Sequence, residues 1–126
     1  MKQRTKEWIG KAEGDWKIAQ REAKTTDPVW DGVCFHAQQC VEKYLKAFLE
    51  ENNISFPKTH DLVSLLNLSG KLLQDLDSLR RQLTNLSTFG IVARSPGEEA
   101  DREAAEEAMR TGEEARSVIR DRLGLS

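Results

Sequence analysis

Asp15 is the residue least at home in its surroundings. Trp8, Ala12, Trp16, Ala19 and Ala23 recur around it at spacings of three and four, the period of a helix with one apolar face. At about 100° per residue Asp15 falls between Trp8 and Ala19, inside that face. An unpaired carboxylate taken out of water costs several kcal/mol, so the position calls for a cation or backbone donors from a neighbouring element. His36, Gln39 and Lys43 lie within about 60° of one another on a second helical segment, at the rim of a broad apolar face. Facing Asp15, they would gather acid, imidazole, amide and ammonium groups at a helix-helix seam, where bundles build ligand sites. The same residues also suit a plainer arrangement: a buried ion pair at Asp15, a boundary histidine at 36 and a snorkelling lysine at 43. Residue types alone leave both readings open.

Two further residues carry candidate chemistry. His60 follows Thr59, which reads as the N-cap of a short helix from His60 to Leu68; the helix dipole there disfavours a charged imidazolium. Arg94 closes an otherwise apolar irregular stretch that begins at Phe89 and precedes Ser95-Pro96-Gly97, which makes it a candidate anion contact as well as a candidate surface ion pair. Cys34, His36 and Cys40 have the spacing Cys-x-His-x3-Cys, but no second pair of ligands completes a metal set, so no metal is expected. On one helix the two cysteines point about 120° apart and do not readily bridge; they read as reduced, buried, small apolar residues. No phosphate-cradling glycine loop or nucleophile elbow is present, and no cofactor is expected.

The elements that must hold these residues are helical. Periodicity predicts a first helix over about Thr5 to Ala23, stopped by the turn chemistry of Asp27-Pro28. The most apolar helix follows from about Trp30 to Asn52, apolar over half its circumference, as expected of a central helix that also touches a partner subunit. After the short helix, Gly70 interrupts the chain, and leucines at 72, 76, 79, 83 and 86 predict another strong helix with a coiled-coil-like seam. The last helix, about Asp101 to Leu123, lines Ala104, Ala108, Gly112 and Ala115 along one face, where another helix can approach closely. The expected fold is all-α: an antiparallel, up-and-down bundle of four long helices with one extra short helix, in one domain spanning residues 1–126.

Composition agrees. The chain has 126 residues, long enough for one modest core, and a formal charge of -2 that provides no large positive field for phosphate backbones. No run approaches the roughly 18 apolar residues that span a bilayer, and the N-terminus lacks the apolar middle of a signal peptide, so no membrane partner and a cytoplasmic location are expected.

The stretch from Phe35 to Leu49, with Gln39, Glu42, Lys43, Lys46 and Ala47 in place, followed by Lys58-Thr-His-Asp-Leu62, resembles the signature of the HEPN family. The segment from Trp8 to Ala19 resembles that family's first helix, and Arg94 to Gly97 with the alanine-rich last helix resembles its ending. The resemblance implies a helical bundle, frequently a symmetric homodimer, often encoded beside a minimal nucleotidyltransferase in a two-component, toxin-antitoxin-like module. Many such proteins are also metal-independent RNA endonucleases that use an arginine followed four to six residues later by a histidine. Neither His36 nor His60 has an arginine at that distance upstream, and Arg94 has no histidine downstream. The expectation is therefore a non-catalytic protein that binds a nucleotide, RNA or a nucleotidyltransferase partner through Asp15, His36, Gln39, Lys43, His60 and Arg94. A divergent endoribonuclease and a structural adaptor bundle are the alternatives.

Overall fold

The computed structural model describes residues 1–90 and 95–125. Five α-helices follow in order: α1 (Gln3–Ala23), α2 (Trp30–Glu51), α3 (Leu62–Ser69), α4 (Arg80–Ser87) and α5 (Arg102–Arg122). A 3₁₀ stretch (Gly70–Leu79) joins α3 to α4, and a short 3₁₀ turn (Thr88–Gly90) follows α4. There is no strand among the described residues.

Helix ends follow local chemistry. At the close of α1 the Glu22 carboxylate accepts a hydrogen bond from the Val29 backbone N–H at 2.8 Å, which fixes the turn into α2. Asn53 takes a left-handed φ of 58°, and the Ile54 N–H bonds back to the Leu49 carbonyl at 2.9 Å, so α2 ends where the paired asparagines predict. Asp101 caps α5 through the Ala104 N–H. One expected cap is corrected: Asp61, not Thr59, caps α3, accepting from the Val63 N–H at 3.1 Å, while the Thr59 hydroxyl accepts from the Asp61 N–H. His60 therefore lies in the linker ahead of the helix and not within its first turn, and the dipole argument does not reach it.

The buried side chains form one contiguous cluster, with α2 contributing the most to it. Tyr44, Leu45 and Leu49 are fully enclosed, as are Leu62, Leu65, Leu73, Leu76 and Leu83 from the segments that cover them. Each such side chain contributes roughly 1.5–3 kcal/mol of transfer free energy. Cross-links show the directions of the long helices. Thr5 bonds Glu51 and Asp15 bonds Lys43, so α1 and α2 run oppositely. Asp31 accepts from the Ala100 N–H and Tyr44 meets Arg120, so α5 runs with α2. Close approach of α5 is possible because Gly112 has no side chain: a Cβ there would come within 2.9 Å of the Trp16 ring. The small-residue face is Ala105, Ala108, Gly112 and Ala115, with Ala104 only half-buried at its edge.

The expected long leucine helix differs from the structure. Gly70, at φ 55°, turns the chain, and Leu73 has non-helical angles, which rotates the stripe by one position. Leu73, Leu76 and Leu79 are buried at spacings of three, the repeat of a 3₁₀ helix, whereas Leu72 is 49% exposed. Only Leu83 and Leu86 continue the seam on a true α-helix, α4.

Candidate functional site

Asp15 is buried at the join of α1 and α2, as its place in the apolar arc demands. Its Oδ1 lies 2.8 Å from His36 Nδ1, and its Oδ2 accepts from Lys43 Nζ at 2.5 Å. His36 and Lys43 are one helical repeat of seven apart, so both reach α1 from the same side of α2. Their side chains remain 28% and 22% exposed, which puts an imidazole and an ammonium at the protein surface while the acid that orients them is covered. His36 also meets the Phe35 ring edge-on.

Gln39 and His60 do not join Asp15. They belong to a second cluster, centred on Glu42, whose side chain is 4% exposed. Glu42 Oε2 accepts from Lys46 Nζ at 2.9 Å; Glu42 Oε1 accepts from the Gln38 amide at 3.2 Å and lies 3.0 Å from His60 Nδ1. The Gln38 amide also donates to the His60 backbone carbonyl at 2.9 Å, and the Gln39 amide donates to the Gln38 carbonyl oxygen at 2.8 Å. Lys46 additionally stands over the Trp8 ring. Gly90 closes the cluster from the far side, since a Cβ there would come within 2.4 Å of the Gln38 amide.

The two clusters lie on adjoining faces of α2, and Gln39 sits between them in angle. Of the expected site residues, Asp15, His36 and Lys43 meet directly, Gln39 and His60 meet around Glu42, and Arg94 lies outside the described residues. Gln38, Glu42 and Lys46 were missing from the expected set. Their spacing of four carried the signal, since alternating amide, acid and ammonium on one helical line can neutralise each other within the helix. In both clusters a carboxylate faces Nδ1 of an imidazole. In the neutral ring that contact fixes the proton on Nδ1 and leaves Nε2 as an acceptor.

A third polar junction ties α1, α2 and α5. Glu13 accepts two hydrogen bonds from Arg116, each 2.7 Å, and one from the Tyr44 hydroxyl, which also accepts from Arg120. The Arg116 hydrogen bonds hold the Glu13 carboxyl below its usual range, while burial, with the Glu13 carboxylate beside it, pushes the Tyr44 phenol well up. Arg116 also lies over the Trp16 ring. Burial likewise pushes the Cys40 thiol far up, so it behaves as an apolar group. Neither cysteine forms a disulfide, and no group of histidine, cysteine and acidic residues among those described could hold a metal ion.

The family model of the HEPN domain matches residues 5–122. The chain belongs to the HEPN family. Among solved structures, that of TT1696 from Thermus thermophilus has the same fold, with a TM-score of 0.77 over 96% of this chain and 99% of that one at 21% identity. No curated protein matches. The region of α2 that carries both clusters, together with the Lys58-to-Leu62 linker, lies within the HEPN match, as does the α1 face that holds Asp15. No helix among the described residues is long and apolar enough to cross a membrane.

Proposed function

We propose that this HEPN protein is non-catalytic and binds a nucleotide or RNA, a minimal nucleotidyltransferase partner, or both, as one half of a two-component, toxin-antitoxin-like module. It would act in the cytoplasm as a single-domain, up-and-down bundle, in which the broken stretch from α3 to α4 stands for the third long helix, and would assemble as a homodimer. The supporting observation is the buried Asp15 carboxylate holding His36 and Lys43 at the surface edge of the α1–α2 join. An ammonium and an imidazole held in place by a covered acid are pre-organised for a phosphate, which lowers the ordering cost of binding. The strip then continues through Gln39 to His60.

Calorimetric titration with nucleotides and short RNA, beside pull-down with a minimal nucleotidyltransferase, tests the reading. Lys43→Met is expected to weaken phosphate-ligand binding by about tenfold, the scale of one lost charge-assisted contact. Light scattering on the purified chain should give the mass of two chains. A monomer that binds no nucleotide, RNA or nucleotidyltransferase would overturn the proposal.

A second reading, a divergent metal-independent endoribonuclease, is favoured by the carboxylate at Nδ1 of both His36 and His60, since an oriented imidazole with Nε2 available is what general-base chemistry uses. The missing arginine-to-histidine spacing weighs against it. Labelled RNA incubated with the protein and with its His36→Ala and His60→Ala forms separates the two: cleavage abolished by either change supports the enzyme, and no cleavage supports the binder.

A further inference from the structure

A groove of about 530 Å³ opens where the α1–α2 turn meets the first turns of α5, and it shares no residue with the polar strip. Its volume falls within the roughly 300–1,000 Å³ typical of small-ligand sites. Trp30, Val33, Ala105 and Met109 form an apolar floor, and Thr25, Thr26, Arg102 and Arg110 bring hydroxyl and guanidinium groups to its rim. Arg102 lies over the Trp30 ring, 5.6 Å from its centroid.

Both arginines are exposed, and neither is held by a carboxylate among the described residues. Glu106 is four residues from each and also lines the groove, yet among the described residues neither arginine forms an ion pair within 4.0 Å. Arg102 is moreover the first residue of α5, where the helix dipole disfavours a cation and where Asp101 and Glu103 already supply the acids that suit it. Arg102 is therefore placed by its contact with Trp30 and not by the helix dipole. Among the lining residues the two guanidinium groups are set against one carboxylate, that of Glu106.

We infer that this groove is a binding site for a small organic oxyanion carrying a planar ring. The ring packs against Trp30 and Met109, and the phosphate or carboxylate head takes paired N–H donors from Arg102 and Arg110, whose planar forks match both head groups. The inference is independent of the polar strip: a nucleotide can bind there, here, at both places or at neither.

The test is a ¹H–¹⁵N spectrum of the full chain, in which the three tryptophan indole N–H signals are resolved and that of Trp30 is assigned with Trp30→Phe. Adenosine monophosphate and benzoate are titrated in parallel, with adenosine and inorganic phosphate as the two halves of the first ligand. A saturable shift of the Trp30 indole and of the Arg102–Arg110 amides with either oxyanion, weakened at least tenfold in Arg102→Gln/Arg110→Gln and strengthened in Glu106→Gln, is the expected result; the responding ligand identifies the head group. The spectrum of the double variant itself reports that the fold is intact. The inference is overturned if neither oxyanion moves the Trp30 signal, or if the shifts survive in the double variant. Adenosine monophosphate that perturbs only residues around Lys43 and His60 would overturn the groove site and leave the strip reading standing, whereas no response to it anywhere would count against its binding at both places.

Discussion

Asp15 and Glu42 are both carboxylates with less than a tenth of the side chain exposed, yet they are neutralised in different ways. Asp15 projects from α1 and takes both partners from α2, so its polar contacts form only when two helices have packed. Glu42 takes Gln38 and Lys46 from one turn before and one turn after it on its own helix, and among the described residues only His60 comes from elsewhere. The first arrangement couples a polar site to the α1–α2 join. The second is assembled largely by α2 itself and then sealed by the linker before α3 and by the close approach of Gly90.

Burial decides which of the two is more costly to break. Lys46 is 9% exposed at its side chain, while Lys43 and His36 can turn toward water if Asp15 is removed. Glu42→Ala is therefore expected to destabilise the fold by about 3–5 kcal/mol, the cost of leaving the covered Lys46 ammonium without its acceptor. Chemical denaturation measures it, and Glu42→Ala combined with Lys46→Met should recover a substantial part of the loss. A loss below about 1 kcal/mol would mean that Lys46 escapes to solvent and that the cluster is not closed. Asp15→Ala should cost less, about 2 kcal/mol, because its partners are only partly covered. If the Asp15 change proved the more damaging, the pairing between helices would outweigh the pairing within α2.

The different geometries also explain what could be read before folding. Asp15 stood out because a carboxylate inside an apolar arc is a local contradiction, and the structure resolves it with two of the three groups expected from α2, His36 and Lys43. Glu42 produced no such contradiction. Flanked at spacings of four by an amide and an ammonium, it looks like an ordinary solvated helix face, and only the position of the linker and Gly90 shows that this face is covered. Gln39 and His60 were legible as polar groups near α2 but not as partners of a different acid. The same limit applies to the fold. α1, α2 and α5 carry sustained helical periods and form at close to the expected bounds. The leucine stripe misled because spacings of three and four suit both an α-helix and a 3₁₀ stretch ending in one, and the change of phase at Leu73 comes from the turn at Gly70.

The imidazoles sharpen the comparison at smaller scale. His60 is 58% exposed, so His60→Ala leaves Glu42 still bonded to Lys46 and Gln38 and should cost no more than about 1 kcal/mol. His36→Ala should be somewhat more disruptive, since it removes one of the two partners that Asp15 has among the described residues and an aromatic contact with Phe35. Equal and negligible effects would make both histidines bystanders in folding and leave their surface positions to binding.

Glu13 supplies the exposed reference against which both buried acids can be judged. Its side chain is 35% exposed, and its two hydrogen bonds from Arg116 hold its carboxyl below the usual value near 4.5. A folded-state pKa that is depressed contributes stability that is complete above the unfolded value and is lost as pH falls through the folded one. Denaturation midpoints followed downward from pH 6 should therefore decline below about pH 4.5 in the parent protein. Glu13→Gln should flatten that decline and, at neutral pH, cost only about 1 kcal/mol, because water screens a pair this exposed. A decline that Glu13→Gln leaves unchanged would instead point to other lowered carboxyls, such as Asp61 with its Ser64 hydrogen bond, with Asp61→Asn as the check.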